Sequence, residues 1–166
     1  MDFQDIIFKL DRFWARQGCA LLPPGAAGAA GLPGPLCLAG AAAPGASAPD
    51  GLPGLYRYLV LMRPAPADVR RLFLNSIKEA GIDRSEHDLR WLSDEGGPAA
   101  WLVLLDGLPL AGFRYLAPPA ARGAAGAEIR ISLERLAMVS QRKKRAADLA
   151  WSGRLTYGAL HPVEAA

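Results

Sequence analysis

The stretch EIRISLERLAM, Glu128 to Met138, decides how the rest of the chain is to be folded. Glu128, Ile129, Arg130 and Ile131 alternate charged and apolar residues, the two-residue period of a strand with one buried face. Leu133, Leu136 and Ala137 then recur at three- and four-residue spacing, which predicts a helix that starts where the strand stops. Glu134 and Arg135 lie in that helix's first turn. Such an arginine either meets an anion at the helix start or is a solvated helix residue, and the surrounding sequence has to discriminate.

Upstream, a glycine- and alanine-rich loop (117–127) is preceded by two apolar runs, Trp101 to Leu105 and Leu108 to Leu116, around Asp106-Gly107. That dipeptide is the strongest hairpin signal in the chain. Leu89 to Leu92 reads as a short strand. LYRYLVLMR (55–63) is rich in aromatic and branched residues and reads as another. PAPADVRRLFLNSIKEAG (64–81) reads as a helix, with Asp68 at its positive end, a stripe of Val69, Leu72, Phe73 and Ile77, and Gly81 as its stop. Phe3, Ile6, Ile7, Leu10, Phe13 and Trp14 predict an amphipathic N-terminal helix ending at Gly18. Hairpins without regular alternation of strand and helix predict an α+β fold around an antiparallel sheet.

At 166 residues the chain suits a single domain, 1–166, but 18 Gly and 14 Pro mean that part of it is not packed core. The segment 23–54 holds only Leu32, Leu36, Cys37, Leu38, Ser47, Asp50 and Leu52 besides Gly, Ala and Pro, and is expected to be a low-complexity loop. It carries no charge between Arg16 and Asp50, yet its prolines exclude a membrane-spanning helix. The acidic start MDFQD gives no sign of an export signal. Cys19 and Cys37 form no CxxC pair, so neither a metal site nor a disulfide framework is suggested, and a reduced cytoplasmic setting is expected. A net charge of +3 permits nucleic-acid contact without requiring it.

Four blocks, FQDIIFKLDRFWARQGC (3–19), YLVLMRPAPADVRRLFLNSIKEAGIDRSEHDLRWLSDE (58–95), WLVLLDGLPLAGFRYL (101–116) and EIRISLERLAM with WSGRLTYG (151–158), resemble the alpha subunit of bacterial glycyl-tRNA synthetase, a class II aminoacyl-tRNA synthetase catalytic chain. The resemblance implies an antiparallel sheet flanked by helices and, for an active member, formation of glycyl-adenylate from glycine and ATP with magnesium. It also implies a homodimer, a beta subunit and tRNA as partners. Arg135 matches the motif 3 arginine that binds nucleotide phosphates, and Glu128 the glutamate that receives the glycine ammonium.

The departures from the family gather where chemistry requires particular residues. Cations must hold the phosphates of ATP, but the arginine pair of motif 2 falls here on Ala46 and Ser47. Polar positions of the family's hairpin and of the run after it have become Leu102, Pro109, Ala111, Gly112 and 117–121, and Arg130, Ile131 and Ser132 replace Thr-Tyr-Gly. Arg57 could replace a phosphate clamp, or pair with a neighbouring acid. The cluster Arg142, Lys143, Lys144 and Arg145 suits RNA phosphates, or a solvated helix C-terminus. The expectation is therefore a non-catalytic relative with no catalytic residue, metal ligand or certain cofactor; Arg135, Arg57 and Glu128 are its residual site residues. The alternative is an active ligase subunit.

Overall fold

In a computed structural model, residues 1–22, 34–42, 50–93, 100–116 and 125–162 are described. Helix α1 (Phe3–Arg16) starts where Asp2 and Asp5 cap each other's backbone N–H groups, at 2.8 and 3.0 Å. Its buried stripe is Phe3, Ile6, Leu10, Phe13 and Trp14, and Gly18 turns the chain out at φ +91. Seven strands follow: β1 (Ala20–Leu21), β2 (Leu36–Ala42), β3 (Arg57–Arg63), β4 (Leu89–Ser93), β5 (Ala100–Leu105), β6 (Leu108–Leu116) and β7 (Gly126–Ser132). Helix α2 (Val69–Glu79) joins β3 to β4, and α3 (Leu133–Gln141) continues directly from β7. The strands form one sheet in the order β1-β2-β3-β7-β6-β5-β4, antiparallel except for the β1–β2 pair. The α+β expectation is met.

Two expectations are corrected. The segment 23–54 is not one loop, because β2 lies within it and pairs with β3 along its whole length, from Leu36↔Arg63 to Ala42↔Arg57. Leucine, alanine and glycine form strands poorly on their own. Here β3 supplies the ladder, and helix α1 covers the face bearing Ala39, which is fully buried. Of the rest of the predicted loop, 23–33 and 43–49 lie outside the described residues, as does most of the predicted loop 117–127.

The second correction concerns the cysteines, which form a Cys19–Cys37 disulfide. The reason lies in register: the parallel pairing Ala20↔Leu38 and Leu21↔Ala39 sets Cys19 beside Cys37, a proximity invisible while β2 is read as loop. The bond closes a sequence separation of 18 residues. The cross-link restrains the unfolded chain, so in the oxidised protein Cys37→Ser is expected to cost roughly 2–3 kcal/mol of stability in a urea titration. Equal urea midpoints for the parent and the variant under oxidising conditions would contradict that.

The two faces of the sheet differ. Tyr58, Val60, Ala111, Phe113, Ile129 and Ile131 point one way and join the stripes of α1, α2 and α3 in a continuous core. Above that face Arg70 of α2 lies 4.4 Å from the centre of the Trp101 ring and 5.1 Å from that of Trp91, a cation–π contact between helix and sheet. The other face carries Leu38, Leu59, Leu61, Gly112, Arg114, Leu102, Glu128 and Arg130, and none of these joins that core. The chain then forms a two-stranded sheet, β8 (Ala150–Ser152) and β9 (Leu155–Thr156), and a short helix α4 (Tyr157–Leu160). These return to the start of α1, where Trp151 stacks on Phe3 at 4.5 Å. No described helix is long and apolar enough to cross a membrane.

Candidate functional site

The junction of β7 and α3 is organised by three polar residues, Ser132, Glu134 and Arg135, around Leu133. Ser132 is the N-cap of α3: its Oγ accepts the Arg135 N–H at 3.2 Å and donates to the Pro53 carbonyl at 2.6 Å. The same hydroxyl thus starts the helix and draws the segment 50–56 across it. The Leu133 N–H donates to the Tyr56 carbonyl at 3.1 Å, and the Tyr56 N–H donates to the Glu134 carboxylate at 2.7 and 3.1 Å.

Glu134 is only 2% exposed. Burial raises its carboxyl to about 7, although the Tyr56 N–H and the Arg57 charge work in the opposite direction. Its position dictates the residue above it. Gly54 has φ +87, and a Cβ there would overlap the Glu134 carboxylate, so only glycine satisfies both the backbone and the space.

Arg57 is 8% exposed, and its guanidinium is occupied within the fold. Nε and Nη2 grip both oxygens of Asp50 at 2.9 and 3.0 Å; Nη2 also donates to Leu52 at 2.8 Å, and Nη1 donates to the carbonyls of Pro53, Gly54 and Tyr56 at 3.0–3.2 Å. Burial disfavours the Asp50 carboxylate, but the Arg57 hydrogen bond and charge, with the Leu52 N–H, outweigh it and hold Asp50 below the ordinary range. The pair is a fork-to-carboxylate clamp that shapes the strap before β3.

Arg135 turns toward the β5–β6 hairpin. Its Nη2 donates to the Leu105 carbonyl at 3.0 Å, while its buried Nε has no partner among the described residues. Burial lowers its pKa, against the attraction of Asp106. Asp106 occupies the positive-φ corner of the turn and accepts from the Asp88 N–H at 2.9 Å, with His87 Nδ1 at 2.7 Å. The Asp88 N–H, and after it His87, hold the Asp106 carboxyl below its usual value. His87 and Arg135 thereby brace the turn from two sides.

Glu128 lies on the open face between two cations, Arg130 at 2.8 Å and Arg114 at 3.2 Å. Among the described residues no hydrogen bond or ion pair links Arg57, Glu128 and Arg135 to one another. By strand alternation Arg57 shares the sheet face of Leu59, Leu61 and Glu128, but it lies beneath the strap, and Arg135 reaches from the start of α3 to the hairpin turn. Arg142, Lys143, Lys144 and Arg145 are exposed just beyond α3, where Arg142 takes the left-handed C-cap conformation and lies 3.6 Å from Glu86. Ala46 and Ser47 lie outside the described residues. Among the described residues no cluster of His, Cys, Asp or Glu could hold a metal ion.

Sequence reasoning did not assign Ser132, Glu134 or Asp50 a part in this site. The trace available was the spacing of Gly54 from Arg57, a left-handed corner shortly before a strand, but nothing local says that Glu134, far along the sequence, lies under it.

The fold is shared with solved class II aminoacyl-tRNA synthetases. The chain superposes on pyrrolysyl-tRNA synthetase from Desulfitobacterium hafniense with a TM-score of 0.65 and 14% identity, over 94% of this chain and 75% of that one. A second structure of the synthetase from the same organism, PylSc, gives 0.63 at 12% identity, over 92% and 73%. These likenesses establish architecture alone. The model of the glycyl-tRNA synthetase alpha subunit family matches residues 45–165, a span that holds the strap, strands β3 to β7, the Ser132 cap, α3 and α4, and the chain therefore belongs to that family.

Proposed function

We propose that this chain is a non-catalytic member of its family, a binding or regulatory protein that retains the class II sheet without an adenylation site. The observation that carries the reading is the state of Arg57, whose donors are all turned inward, onto Asp50 and four backbone carbonyls. Arg114 and Arg130 have Glu128 between them, and Arg135 serves the Leu105 carbonyl. The sequence itself has Ala46 and Ser47 at the motif 2 arginine positions. ATP with magnesium, which the family implies, does not fit the donor set of the described residues: a triphosphate calls for several converging cations that are not already neutralised. A homodimer belongs to this proposal, with a beta subunit or tRNA as the macromolecular partner; a cytoplasmic setting does too, and with Cys19 and Cys37 paired it rests on the family alone.

One observation favours the other reading, an active glycine–tRNA ligase subunit: the buried Nε of Arg135 has no hydrogen-bond partner among the described residues. Glycine-dependent ATP–pyrophosphate exchange, with and without a glycyl-tRNA synthetase beta subunit, separates the two. No exchange is expected from folded protein. Exchange that disappears in Arg135→Ala would establish the ligase reading instead.

A further inference from the structure

We infer that the open face of the sheet holds a site for a small monoanion with an apolar tail, centred on Gly112. This rests on the binding-protein reading above and names its ligand class. The register builds the site. One row crosses the sheet as Leu59↔Arg130↔Gly112↔Leu102↔Leu92, and the next runs Leu61↔Glu128↔Arg114↔Ala100.

Gly112 makes a gap in the first row, since among the described residues a Cβ added there would meet nothing within 4 Å, and its φ lies outside the left-handed region. The glycine is therefore not required by the backbone; what it provides is space. On one side of the gap stands Arg130, its side chain 35% exposed, and on the other Leu102 and then Leu92, which is 46% exposed. Strands lie about 4.8 Å apart, so from Arg130 across Gly112 and Leu102 to Leu92 is roughly 14 Å, room for a medium-length acyl or aryl chain lying across the strands.

The charge balance selects the head group. Glu128 is shared by Arg130 and Arg114, at 2.8 and 3.2 Å, which leaves the trio with one excess positive charge. Arg114 is half exposed, so its guanidinium has donors beyond those that Glu128 takes. A carboxylate on Arg130 and Arg114 neutralises that excess and lets the tail cover Gly112 and contact Leu102 and Leu92. A zwitterion is disfavoured because Glu128, the one acid of the trio, already has two cationic partners. An alkylammonium meets the wrong sign.

The test is a titration of the full chain with sodium octanoate, read by backbone amide chemical shifts, with octylammonium chloride and glycine as comparison compounds. Octanoate is expected to shift the amides of Leu102, Gly112 and Arg130 saturably. Arg130→Gln should weaken it at least about tenfold, the loss of one charge-assisted contact, and Gly112→Leu, which fills the gap while leaving the charges in place, should abolish it. If octylammonium binds as tightly, if octanoate leaves these three amides unmoved, or if Gly112→Leu binds it as well as the parent, the proposal is overturned. Glycine-dependent pyrophosphate exchange in the same preparations reads the underlying function independently: exchange defeats the non-catalytic reading, whereas absent octanoate shifts without exchange defeat only this site.

Discussion

Arg57→Ala is expected to destabilise the protein by about 3–5 kcal/mol, the range for removing one partner of a buried ion pair. The replacement leaves the Asp50 carboxylate, whose side chain is 20% exposed, beside a void, and takes the Arg57 donors from the carbonyls of Leu52, Pro53, Gly54 and Tyr56, of which Pro53 keeps the Ser132 hydroxyl and Tyr56 the Leu133 N–H. Each buried acceptor without a donor adds to the cost. Arg57→Lys should fall between the parent and the alanine variant, since an ammonium keeps the charge but cannot grip both Asp50 oxygens while reaching carbonyls on the other side. Urea midpoints for Arg57→Ala, Asp50→Ala and the double variant check the argument. The double variant should lose clearly less than the sum of the single losses, because the second truncation removes a charge already left without its partner. Strict additivity, or a loss under about 1 kcal/mol for Arg57→Ala, would mean that the clamp does not hold the strap.

The elements legible in the sequence were those whose cause is local. Asp106 and Gly107 take φ +52 and +81, the left-handed pair that the dipeptide predicts, so the β5–β6 hairpin was readable from two residues. Helix α1 was readable because its apolar stripe and glycine stop lie within one segment. Strand β2 was not, since Leu-Cys-Leu-Ala-Gly-Ala-Ala has little strand preference, and its ladder comes from β3, across residues that carry almost no pattern. The disulfide followed it out of sight, because only the register of β1 on β2 sets the two cysteines side by side. At the site, Arg57 drew notice as a cation on a strand, but its partner Asp50 sits in a stretch read as loop. Glu134 looked like an ordinary acid in the first turn of a helix. It is buried only because the strap returns over it, a tertiary event with no short-range signature.

That buried acid should leave its mark on the pH dependence of stability. In the folded protein burial raises the Glu134 carboxyl to about 7, whereas an unfolded chain releases that proton near the ordinary glutamate value of 4.5. Between those values the folded state holds a proton that the unfolded state has given up. Stability therefore falls as pH rises through this window and levels off above it, the reverse of the usual carboxylate. The interval corresponds to about 3 kcal/mol, order of magnitude. Glu134→Gln keeps a carbonyl oxygen for the Tyr56 N–H and removes the titration. The difference in unfolding free energy between parent and variant cancels the other titrating groups and should shift steadily in favour of glutamine from pH 5 to pH 8, by roughly that amount. Parallel profiles over that range would mean that the carboxylate is solvated by the strap as well as by water, and that burial beneath Gly54 costs the charge nothing.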